Sequence, residues 1–136
     1  MRRMLGCSAM AVATALAGPA ASAGFDGADV LICAPVEILA CEPDIKCEHE
    51  TAEIIDLPQF LRVSVQDKTI VGSRPSGTAV NAKIGYVAHS ERKMFLQGVE
   101  RSFAWSMGID EESGRMTMTI GDDRSGYVVF GACTPR

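Results

Sequence analysis

Two histidines, a few clustered carboxylates and five cysteines hold most of the chemistry open to this 136-residue chain. His49 lies in an acidic stretch, and His89 sits beside Ser90-Glu91-Arg92, which reads as a turn. Imidazole suits general-base work at neutral pH. No G-x-S-x-G, H-E-x-x-H or phosphate-cradling motif accompanies either histidine, so both read as solvated loop residues. The acids Asp110-Glu111-Glu112 and Asp122-Asp123 fall in hairpin turns. A glycosidase needs two carboxyls facing one cleft with one pKa raised, whereas aspartates at turn tips favour turn geometry and stay wet. No catalytic residue is assigned, and the chain reads as a non-enzyme.

The cysteines carry structure instead. Cys7 lies near the start, leaving Cys33, Cys41, Cys47 and Cys133. Four cysteines allow three pairings. Cys41 and Cys47 flank Glu42-Pro43-Asp44-Ile45-Lys46, a turn-like insert that brings its ends together, which favours Cys41–Cys47 and leaves Cys33–Cys133. Zinc is the rival use, because His49 and several glutamates lie near Cys41 and Cys47. The paired C-x-x-C spacing of structural zinc is missing. No D-x-[DN]-x-[DN]-G calcium loop is present either. No metal and no cofactor is expected, and Glu42 to Asp56 reads as a solvated acidic loop.

Disulfides need an oxidising compartment, and the first 23 residues look like an address to one. Met1-Arg2-Arg3 is a short basic start, Met4 to Ala17 is apolar, and Ala21-Ser22-Ala23 is a small-x-small cleavage site. Met4-Leu5-Gly6-Cys7 lacks the apolar run that should precede a lipidated cysteine. Residues 1–23 are thus read as a cleaved signal peptide and 24–136 as one domain, periplasmic or secreted. The full chain has 13 basic and 17 acidic residues; without Arg2 and Arg3 it has 11 against 17, a net charge of −6. Such a chain is a poor ligand for nucleic acid or anionic membranes. No segment approaches the ~20 apolar residues of a spanning helix.

The elements that must position these groups are strands. Leu61, Val63 and Val65 alternate with Arg62 and Ser64, and Gln66-Asp67-Lys68 turns into Thr69-Ile70-Val71. Val80 to His89 places Ile84, Tyr86 and Ala88 on one side. Met94 and Leu96 alternate with Phe95, Gln97 and Val99. Phe103, Trp105, Met107 and Ile109 share a face; after a turn containing Gly114, Met116, Met118 and Ile120 share the matching face. Gly121 to Gly126 turns again into Tyr127-Val128-Val129-Phe130, apolar on both faces. Val30 to Cys41 is strand-like, with Pro35 implying an edge, a bulge or a bend. Leu39-Ala40 and Glu53-Ile54-Ile55 suit short helical turns, and Arg74 to Thr78 reads as the longest, most mobile loop.

About eight short strands without an amphipathic helix predict an all-β fold, a small antiparallel barrel or barrel-like sandwich. A Cys33–Cys133 bond, tying first strand to last, favours the barrel. The stripe of Phe103, Trp105, Met107, Met116 and Met118 is then core in a narrow barrel and the lining of a ligand cavity in a wide one. Small barrels usually fill themselves, so core is the expected role.

From Phe103 to Pro135 the chain resembles a group of small exported, disulfide-containing bacterial proteins of proteobacterial type, which end in a V-x-F-G-A-C-T-like strand. Trp105-Ser106-Met107-Gly108-Ile109-Asp110, Gly114-Arg115-Met116-Thr117-Met118-Thr119 and Val129-Phe130-Gly131-Ala132-Cys133-Thr134-Pro135 carry the likeness, with Pro58 to Val63 and Leu96-Gln97-Gly98. The resemblance implies export and a compact disulfide-linked domain, and brings no activity. In size, export, acidity and strand content the chain is also similar to periplasmic inhibitors of animal-type lysozyme. Their S-G-x-G-x-x-Y loop is missing, Ser76-Gly77-Thr78 being a fragment of it. The expected function is that of a monomeric exported binding protein engaging a macromolecule at the envelope. The alternatives are a carrier of a small apolar ligand in the barrel and a lysozyme-inhibitor-like protein.

Overall fold

The computed structural model describes residues 24–43 and 46–136; the proposed signal sequence lies outside them. The elements among these residues are all strands: β1 (Leu31–Cys41), β2 (Glu48–Glu50), β3 (Leu61–Ser64), β4 (Thr69–Ser73), β5 (Ala79–Ser90), β6 (Lys93–Glu100), β7 (Phe103–Asp110), β8 (Arg115–Gly121) and β9 (Gly126–Pro135). From β3 to β9 each strand pairs antiparallel with the next, and β1 pairs with both β3 and β9. That last pairing closes an eight-stranded antiparallel barrel, in which β3 covers only Leu31 to Cys33 of β1. β2 is an extra strand, held against Ile38 to Ala40 of β1. The expected acidic loop 42–56 thus contains a short strand, because Leu39-Ala40 runs on as β1 rather than turning helically and offers β2 its free edge.

The period-two patterns place the core inside. Leu61 and Val63, Met94 and Leu96, Trp105, Met107 and Ile109, and Met116 and Met118 are all buried, with polar or small residues between most of them. Cross-strand pairs such as Met94–Ile109, Leu96–Met107 and Met107–Met118 fill the interior side by side. Two bulges interrupt the ladder, the one expected at Pro35 and a second in β5. In β1 the register shifts between Pro35 and Glu37, so the residue without an N–H sits where the ladder is already broken. In β5 it shifts between Ile84 and Tyr86, which turns Tyr86 outward to 57% exposure while Ile84 stays buried. Ile84 and Tyr86 therefore do not share a face, since the extra residue Gly85 reverses the alternation.

The disulfides join Cys33 to Cys133 and Cys41 to Cys47. Cys33 and Cys133 are direct partners across the β1–β9 seam, with Cα atoms 3.9 Å apart, so the closure of the barrel is covalent. Two such bonds fit an oxidising, extracytoplasmic setting. The turns at residues 65–68, 91–92 and 111–114 mark one end of the barrel. There Phe25 is buried against Gly114, whose φ is +69°; a Cβ at Gly114 would come within 2.7 Å of the ring. That end is plugged by the chain's own Phe25.

Candidate functional site

The opposite end is built from residues 51–60, the turn 74–78, and the turns at 101–102 and 122–125. Beneath it lies a cavity of about 110 Å³. Its wall is mostly apolar: Phe103 and Trp105 of β7, Met118 and Ile120 of β8, Ile70 of β4, Ala82 of β5 and Tyr127 of β9, under a cover of Ile55, Leu57 and Pro58. Gly98 makes the space for the tryptophan. It is paired with Trp105 across β6 and β7, and a Cβ there would approach the indole Cε2 to 2.9 Å.

The expected stripe therefore divides. Phe103, Trp105 and Met118 line the cavity, whereas Met107 and Met116 are fully buried core. Met116 lies toward the far end, beside the β7–β8 turn, whereas Met107 is buried directly opposite Met118. The barrel is neither wholly filled nor wholly hollow.

Two charged residues missed in the sequence complete the site. Arg74 and Glu100 both line the cavity, with side chains 18% and 14% exposed. Arg74 Nη2 donates to Glu100 Oε2 at 3.0 Å, and its Nη1 donates to the Asp56 carbonyl at 3.0 Å. Arg101 lies 3.5 Å from the other Glu100 oxygen. Two buried N–H groups have no acceptor among the described residues: Arg74 Nε and Trp105 Nε1. Buried donors are nearly always paired in folded proteins. A signal for the charged pair was present. Arg74 continues the inward phase of Ile70 and Gly72, and Glu100 that of Met94, Leu96 and Gly98; opposite charges on two apolar phases must meet to be buried.

Asp56 fastens the cover. Its carboxylate accepts from the Ser76 backbone N–H at 2.9 Å and from Ser76 Oγ at 2.8 Å, and its φ is +54°. Residues 74–78, expected to be a mobile loop, are instead a tight turn: Arg74 N–H donates to Thr78 C=O and Gly77 N–H to Arg74 C=O, both at 2.9 Å. Ser76 of the inhibitor-like fragment is thus committed to Asp56. Bonds from Ser76, its backbone N–H first and its hydroxyl second, hold the Asp56 carboxyl below its ordinary 3.8. A depressed carboxyl stabilises the fold above its unfolded value, and this support is lost as pH falls through the lower folded value. The stabilities of wild type and Asp56→Asn in urea are therefore expected to differ at pH 7, and the difference to shrink as the pH falls below 3.8. Parallel curves across that range would assign Asp56 no such role.

The other candidates serve structure. Asp110 accepts from Ser113 Oγ and from the N–H groups of Glu112 and Ser113. Asp122 accepts from Arg124 and Ser125 in the same manner. Both carboxyls are lowered by these bonds, Asp110 mainly by the Ser113 hydroxyl and Asp122 mainly by the Arg124 N–H. They are turn caps. His89 Nδ1 lies 2.6 Å from Glu111, and Glu112 pairs with Arg92. His49 is exposed, 3.6 Å from Glu37. Among the described residues no three His, Cys, Asp or Glu side chains cluster as metal ligands, and Cys41 and Cys47 are bonded to each other.

Among the described residues no helix is long and apolar enough to cross a membrane. Compared with protein-family models, curated proteins and solved structures, the chain matches none.

Proposed function

We propose that this protein is an exported, non-enzymatic β-barrel that binds a small, largely apolar ligand at its mouth. The observation that carries the reading is the cavity of about 110 Å³ beneath residues 51–60, walled by Phe103, Trp105 and Met118. Apolar cavities of this order take up ring-sized guests: one engineered cavity of ~150 Å³ binds benzene. Ligand sites are typically apolar with a few convergent polar groups, and Arg74 and Glu100 supply these here. Export rests on the basic-apolar-small pattern of residues 1–23 together with the two disulfides.

The test fills the hole. Ala82 is buried, lies on β5 and lines the cavity. Ala82→Leu is expected to abolish uptake of benzene, followed by Trp105 fluorescence and calorimetry, while the thermal midpoint holds or rises. Equal benzene binding by both proteins would overturn the reading.

Engagement of a macromolecule draws support from the outer wall. Phe95, Gly108, Thr117 and Phe130 are consecutive cross-strand partners over β6 to β9, an uncharged row with an exposed aromatic at each end. Phe95→Lys/Phe130→Lys should cancel capture of a partner from envelope extract and leave benzene binding intact.

A further inference from the structure

We propose that the outer wall of β6 to β9 docks a second copy of this chain, packed on it about a twofold axis between β7 and β8. This rests on the wall being a macromolecular docking face and names its occupant.

Charge singles out this wall. Its outward side chains form three cross-strand rows of four, the first being Phe95-Gly108-Thr117-Phe130. Along the strands follows Gln97-Ser106-Thr119-Val128. The third row is Val99-Ala104-Gly121-Gly126. None of these positions is charged, although 22% of the chain is. Val99 is 62% exposed, and Phe95 and Phe130 are exposed as well. An uncharged, partly apolar patch inside a polar rim marks an interaction surface.

Shape is the second feature. The strands of a closed barrel curve away from one another, so a bare wall is convex. Here small residues, Gly108, Ser106 and Ala104, occupy β7, while Phe95, Gln97 and Phe130 stand on the flanking strands. The Phe95 ring leans over Gly108, where a Cβ would lie 3.5 Å from its Cε1. Long flanks and a short middle level the curve into a face that suits another level face.

The face is also complementary to itself. A twofold axis along the strands sets β6 on β9 of the second copy, and β7 on β8. Phe95 then stacks on Phe130 and Phe130 on Phe95, an aromatic pair formed twice. Gly108 and Ser106 receive Thr117 and Thr119 of the second copy, small against larger. The rim agrees in charge. Beyond the first row lie Lys93, Asp110, Arg115 and Ala132, so Asp110 faces Arg115 of the second copy, again twice. At the other end, exposed Arg101 comes over the turn that carries Asp122 and exposed Asp123.

Area sets the strength. At ~4.8 Å between strands and ~3.4 Å per residue, the wall measures roughly 20 Å by 20 Å. About 800 Å² over both copies lies at the low end for specific interfaces, so the dimer is weak and forms as concentration rises. The monomer expected from the sequence is its dilute form.

The experiment is sedimentation velocity on the mature protein and on variants that follow the twofold pairing. Wild type is expected to dimerise with a Kd of about 10–100 µM. Phe95→Lys and Phe130→Glu should each raise that Kd at least ~10-fold, since each sets a charge against a ring. Combined in one chain, Phe95→Lys/Phe130→Glu opposes each lysine to a glutamate of the second copy and should restore most of the loss. The two positions are three strands or about 14 Å apart, too far to pair within one chain. Both rings lie on the outer face, so all three variants should keep the wild-type thermal midpoint.

Single variants without effect, or a combined variant as monomeric as the single ones, would overturn the twofold packing. A wild type that stays monomeric to ~500 µM would overturn the second copy as occupant. Capture of a different envelope protein, lost in Phe95→Lys/Phe130→Lys, would then keep the wall as a docking face for another partner. Neither dimer nor capture would remove the docking face as well.

Discussion

Replacing Cys133 by alanine is expected to lower the unfolding free energy by about 4–5 kcal/mol, the value for a closed loop of ~100 residues in the chain-entropy model. The bond spans a sequence separation of 100 and joins directly opposed residues of β1 and β9. Its effect is twofold: it limits the unfolded chain, and it staples the one seam that joins the front of the barrel to its last strand. Cys41–Cys47 closes a separation of 6, so the same model gives ~2–3 kcal/mol for its loss. Guanidinium unfolding of Cys33→Ala/Cys133→Ala against Cys41→Ala/Cys47→Ala would measure both. If the short-loop pair cost as much as the long one, the account of the seam as the main covalent support would fail. Faster amide exchange confined to β1 and β9 in the first variant would place the loss at the seam.

The strands and the Cys41–Cys47 bond are legible in the sequence because both obey local rules, and Cys33–Cys133 follows by elimination. Alternation of Met94, Leu96, Trp105, Met107, Met116 and Met118 with polar or small residues fixes which face is inward, and closure of β1 on β9 follows once Cys33 is paired with Cys133. Pro35 announces the bulge of β1, but the bulge of β5 escapes the pattern. One extra residue at Gly85 reverses every later side chain of β5, and nothing in the apolar pattern of Val80 to His89 announces it. β2 escaped as well, since Glu48-His49-Glu50 is short and polar, and its pairing depends on an edge of β1 left uncovered by β3. The site was half visible. Its aromatic wall stands out in the sequence, whereas Arg74 falls in a stretch that reads as a mobile loop and Glu100 closes a strand. Both lie on inward phases, and a charge on an apolar phase is the signal that marks a paired or functional group.

Trp105→Ala is expected to destabilise the barrel by ~3–5 kcal/mol, the range for removing a large buried aromatic. The ring is 5% exposed, is packed over Gly98 and forms one wall of the mouth. Its loss would remove apolar burial and enlarge a cavity of about 110 Å³, so transfer and cavity costs add. Trp105→Phe should cost less, since most of the packed ring remains. A cost below ~1 kcal/mol for the alanine variant would mean that the indole contributes little to the core and serves the binding surface alone. Core and site are here the same residue, and the two roles separate by ligand rescue. A guest that binds the folded state raises stability as RT ln(1 + [L]/Kd). Benzene in excess is therefore expected to raise the thermal midpoint of Trp105→Ala more than that of Ala82→Leu, whose mouth is filled. Rescue of neither variant, with the full loss on Trp105→Ala, would leave the tryptophan a structural residue only.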